Sequence, residues 1–196
     1  RTRLMEWHDR YERVKHTRAE VHSDMVAPSH EFFQSVLALD VIYDELEPAE
    51  RDRIMSGLDK MASWFAVQKE SWPKNKYAVL GTWALFKGDR EAFSQAKARY
   101  DGALFGELTE EGVYAPGSGY GHFRLAAENM TKATFIDILE FTGEGSYYND
   151  PRMIRFYEWI FGGAVTPART LAGFGDTNPY GSGRTRSMVT AAKMKR

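Results

Sequence analysis

"YAVLGTWALFKGDREAFSQAKARYDGALF", residues 77–105, decides the fold class. Its opening run, "YAVLGTWALF", is apolar on nearly every side, as an inner helix requires. "KGDR" then forms a turn, and "EAFSQAKARYDGALF" puts charged groups on one face and apolar groups on the other. An inner helix, a tight turn and an amphipathic helix make a helical hairpin.

The same grammar extends in both directions. Upstream, Ile54, Leu58, Met61 and Phe65 recur at helical spacing after Pro48, a residue suited to a first helical turn. Before them Phe32, Phe33, Val36, Leu37, Leu39 and Ile42 form a wide apolar face, with Ser29 placed to cap that helix after the break at "APSH". The first segment carries Leu4, Trp7, Tyr11 and Val14 as one stripe on a charged helix. Downstream, "HFRLAAENMTKATFIDILEFTG" reads as a long helix ended by Gly143. Asp150-Pro151 is a cap followed by a first-turn proline, and "RMIRFYEWIFGG" follows it. No stretch alternates with a period of two, so no strand is expected. The fold class is therefore all-α, built from successive antiparallel helical hairpins. No repeat, low-complexity tract or linker divides the chain, and residues 1–196 are expected to be a single domain.

Composition narrows the function. The chain has 196 residues, 43% of them hydrophobic, and a net charge of −1, so no global field draws it to nucleic acid or to a membrane surface. It has no cysteine, hence no disulfide framework and no thiolate zinc site. Its five histidines show no HExxH or other dense ligand pattern, and no metal or other cofactor is expected. No apolar run reaches the roughly 20 residues that cross a bilayer. The chain opens at Arg1 inside a helical pattern and ends on "AAKMKR" without a stop signal, as expected of a piece cut from a longer polypeptide at both ends.

Three polar regions interrupt the pattern. In "SWPKNKY", residues 71–77, Trp72, Lys74, Asn75 and Lys76 stand at the mouth of a helix whose free N–H groups and positive dipole end would suit a carboxylate or sulfate. The plainer reading is an N-cap asparagine between solvated lysines. In "GVYAPGSGYGHFR", residues 112–124, glycines let backbone approach a ligand, and Tyr120 and Arg124 are four apart. A phenol beside a guanidinium can act as a general acid or base. The plainer reading is a packed loop tyrosine and a surface arginine. In "FGDTNPYGSGR", residues 174–184, Asp176 and Asn178 are turn formers that could also bond a sugar.

Several blocks, taken in order, resemble the helical domain of the heparinase II/III-like polysaccharide lyases. They are "LALDVIYDELEPAERDRI", "WPKNKYAVLGTWALFKGD", "EEGVYAPGSGYGHF", "FIDILEFTGEGSYYNDPRMIRFYEWI" and "LAGFGDTNP", spread from about residue 30 to 180. The resemblance implies an incomplete α/α toroid, followed in the full-length chain by a C-terminal β-sandwich. It also implies a secreted or periplasmic enzyme that cleaves an anionic, uronic-acid-containing polysaccharide by β-elimination. By position, Asn75 would neutralise the uronate carboxylate and Tyr120 would move protons, with His122 or Lys76 as the substitute base. Trp72, Lys74, Lys76, Tyr77, Arg124 and Asp176 would hold substrate. Two positions depart from the family pattern: Lys76 stands where a histidine is common, and Pro116 where the family has a glutamate. A non-catalytic glycan-binding or scaffold domain, and a glycoside hydrolase on a similar toroid, are the competing readings. A hydrolase needs paired carboxylates, for which Glu110, Glu111 and Asp176 are the loop-placed candidates.

Overall fold

The computed structural model describes residues 26–68, 73–113 and 130–159. These are all-α: six α-helices and no strand among the described residues. The helices are α1 (Val26–Ile42), α2 (Pro48–Val67), α3 (Pro73–Lys87), α4 (Arg90–Phe105), α5 (Met130–Phe141) and α6 (Pro151–Glu158). A 3₁₀ turn, Tyr43–Glu45, follows α1 directly. None of the described helices is long and apolar enough to cross a membrane. The chain divides into two compact units, Arg1–Tyr100 and Asp101–Arg196.

In the first unit α3 is the central helix. It packs closely on both α1 and α2, whereas α1 and α2 touch each other much less. This is why residues 77–84 can be apolar on nearly every side: neighbours cover more than one face. Phe32 of α1 is fully buried, and its ring meets Phe65 of α2 and Trp83 of α3 edge-on, each at 6.0 Å between centroids. Val36 and Leu39 of α1 and Ile54, Leu58 and Met61 of α2 complete the core.

Helix ends follow local chemistry. At α2, Pro48 occupies the first turn and the Glu47 N–H donates to Glu50 Oε2 at 3.2 Å. At α3, Asp89 N–H bonds Ala84 O and Gly88 N–H bonds Leu85 O, with Gly88 at φ +72°. That is a Schellman stop, and it makes the sharp turn into α4. Gly143 at φ +73° closes α5 in the same way, through Glu144 N–H to Leu139 O and Gly143 N–H to Glu140 O. Asp150 caps α6 by accepting the Arg152 N–H at 2.8 Å, with Pro151 at the first helical position.

One expected cap is corrected. Ser29 does not start α1, which already runs from Val26. Pro28 falls in the first turn, where a missing N–H breaks no intrahelical bond, so the helix passes through it and carries Ser29 inward.

In the second unit two adjacent tyrosines tie the α5–α6 connection down. The Tyr147 hydroxyl donates to Asp101 at 2.5 Å, and the Tyr148 hydroxyl donates to Asp137 of α5. The Tyr148 N–H also donates to Glu140 at 2.8 Å. Arg152 lies over the Phe105 ring at 3.5 Å while its guanidinium pairs with Asp150 at 2.6 Å.

Candidate functional site

The amino end of α3 is buried in an unusual way. First-turn residues normally leave their polar groups in water. Here Lys74 is 2% exposed, Asn75 0%, Lys76 6% and Tyr77 9%. The solvated lysines of the plainer reading are therefore corrected. Pro73 opens the helix, so Asn75 is its third residue and not its cap. The crowding follows from the central place of α3: its first turn enters the packed layer between α1 and α2.

Asn75 faces α1. Its Nδ2 donates to Ser29 Oγ at 2.9 Å, across a sequence separation of 46. Its Oδ1 is buried and accepts no hydrogen bond. The amide thus joins two helices and is turned away from solvent. That conflicts with the expectation that Asn75 itself grips a substrate carboxylate, because the donor is already committed and no open surface reaches it.

Lys76 faces the end of α2. Its Nζ donates to the Gln68 carbonyl at 2.8 Å, just past that helix, and lies 5.7 Å from the centre of the Tyr77 ring. No carboxylate pairs with it among the described residues. A buried ammonium normally has an anionic partner, because desolvation is costly and a carbonyl dipole offsets only part of it. Among the described residues, then, only a carbonyl dipole meets the Lys76 charge in the first turn of a helix, whose own dipole adds to it.

Tyr77 is nearly covered, but it lines a groove of about 330 Å³ between α3 and α4. Trp83 belongs to the core, and its Nε1 donates to Asp59 at 2.9 Å. The Lys87 ammonium joins the same Asp59 oxygen at 2.7 Å.

The expected site residues Trp72, Tyr120, His122, Arg124 and Asp176 lie outside the described residues, as does Pro116. Of the hydrolase carboxylates, Glu110 and Glu111 are exposed on a turn. A hydrogen bond from the Thr109 side chain, with a second from backbone, holds the Glu111 carboxyl below its ordinary value. A glycosidase general acid needs the opposite shift.

Sequence reasoning missed Ser29 as the partner of Asn75, since nothing local marks a bond between residues so far apart. It also missed Tyr148. Burial, and then the bond to Asp137, raise that phenol well above its ordinary value, so it stays a protonated donor at neutral pH and is no base.

No protein-family model, curated protein or solved structure matches this chain.

Proposed function

We propose that the chain binds a uronic-acid-containing glycan at the amino end of α3 and, within a longer secreted or periplasmic protein, cleaves it by β-elimination. The observation that carries the reading is the Lys76 ammonium, nine-tenths buried, held by one carbonyl and lacking a carboxylate partner among the described residues. A uronate carboxylate would supply the missing charge. Neutralising that carboxylate is also what elimination demands, since a C5 proton beside a free carboxylate is a poor acid and the enolate-like charge must be met as it forms.

In the proposed step a base takes the C5 proton. The C5–H electron pair becomes the C4–C5 double bond, the C4–O bond breaks, and the departing oxygen takes up a proton. The resemblance assigns the proton transfers to Tyr120, with His122 as substitute. Lys76 takes over the charge-neutralising part that the resemblance gave to Asn75, and Asn75 positions the helix end through Ser29. The incomplete toroid and the β-sandwich extension belong to the same reading.

The burial of Asn75 favours a second reading, a glycan-binding domain without turnover. One experiment separates the readings. The chain is incubated with a panel of uronate polymers while the ultraviolet absorbance of the conjugated, unsaturated product is followed. Absorbance supports elimination. New reducing ends without absorbance indicate hydrolysis, and binding without either indicates a non-catalytic domain. If no uronate polymer binds, the proposal fails.

A further inference from the structure

The groove between α3 and α4 is a second place where charge and shape point to a ligand. Only Gly88 and Asp89 separate the two helices, and the groove lies between them. Ala84, Ala92 and Ala96 leave the space between them unfilled. Its volume, about 330 Å³, lies at the lower end of small-molecule sites. On the α3 side it runs from Lys87, beside the turn, to Tyr77, a rise of about 15 Å.

The charges in it are unequal. At the turn end, Lys87 is paired with Asp59, and the Asp89 carboxylate accepts the Ala92 N–H at 3.0 Å. At the other end Arg99 is exposed on α4 and has no hydrogen-bond or ion-pair partner among the described residues. Arg99 and Tyr77 line the groove together, and the Tyr77 ring is 5.7 Å from the Lys76 ammonium. The ammonium and the guanidinium, neither paired with a carboxylate among the described residues, are thus joined through one aromatic side chain.

We infer that the α3–α4 groove is an extended subsite for the same polymer, in which Arg99 selects a second uronate carboxylate. The inference rests on the reading of Lys76 as a carboxylate site. A held point charge at Lys76 and a planar fork at Arg99 would read successive acidic residues of one chain, with sugar faces against Tyr77. A neutral glycan of the same length gains nothing from Arg99, so the groove favours acidic polymers over neutral ones.

The test is calorimetric binding of a two-residue and a six-residue oligouronate, with a neutral six-residue oligoglucoside as control. The proteins are the wild-type chain, Arg99→Glu, Ala92→Phe and Lys76→Met. Arg99 and Ala92 are exposed, so those variants leave the core alone; circular dichroism checks this. The expected result is that the hexamer binds the wild type more tightly than the dimer does. Arg99→Glu and Ala92→Phe each weaken the hexamer about tenfold and leave the dimer unchanged. Lys76→Met weakens both. If Arg99→Glu binds the hexamer as the wild type does while Lys76→Met loses both ligands, the groove inference is wrong and the Lys76 site stands. If neither oligouronate binds the wild type, both ideas fall.

Discussion

Replacing Lys76 by methionine keeps much of the side-chain volume and removes the charge. In the free protein this change should raise the unfolding free energy by about 1 kcal/mol or leave it unchanged, because a desolvated ammonium with no carboxylate partner among the described residues costs more than the Gln68 contact returns. The same variant should lose the thermal stabilisation that an oligouronate gives the wild type. Urea melts with and without ligand measure both; clear destabilisation of the free variant would show that capping Gln68 is the side chain's main purpose. Asn75 and Ser29 behave differently, because Ser29→Ala takes from the buried Asn75 amide the hydroxyl that accepts its hydrogen bond. Ser29→Ala and Asn75→Ala should each cost about 1–3 kcal/mol, and the double variant should cost less than their sum. Strict additivity would deny the bond any energetic weight. The polar cluster 74–76 was legible in the sequence as an interruption of the pattern. Its burial was not, since that depends on which helices flank α3, and spacing within one helix says nothing of its neighbours.

Among the elements, two glycines with similar backbone angles should respond unequally to alanine. Gly88 at φ +72° has nothing within 4 Å of an added Cβ, so Gly88→Ala carries only the left-handed strain, about 1 kcal/mol. Gly112 at φ +82° would place that Cβ 2.6 Å from Arg155 backbone in α6, adding a clash that backbone cannot easily relieve. Gly112→Ala should therefore be several times worse in a denaturant melt, and equal costs would contradict the close approach. The pin at Tyr148 has a pH signature. Its phenol value is raised in the folded state, so its contribution is intact below the ordinary phenol range near pH 10 and fades as the pH climbs through it. Unfolding midpoints taken on either side of pH 10 should fall for the wild type, and Tyr148→Phe should flatten part of that fall. Element positions were largely legible: Pro48, Gly88, Gly143 and the Asp150-Pro151 pair mark ends where the structure has them. Ser29 misled because proline in a first turn looks the same, in sequence, as proline before a helix.

Across the first unit, Phe32 is the point at which three helices meet. Phe32→Ala should cost about 3–5 kcal/mol, as a fully enclosed ring leaves a cavity that three helices cannot all close upon. A loss below about 1 kcal/mol would mean that the layer collapses onto the gap. The all-α class and the inner position of α3 were legible because a run that is apolar on all sides has few other uses. The spatial order α1–α3–α2 was not, since periodicity ranks faces and not partners. That order has a consequence during synthesis. A nascent chain leaves the ribosome with Phe32 complete while Trp83, whose ring meets it, is still on the order of seconds from being made. Through that interval the Phe32 ring lacks that cover, and it marks where a chaperone would take hold of the emerging polypeptide.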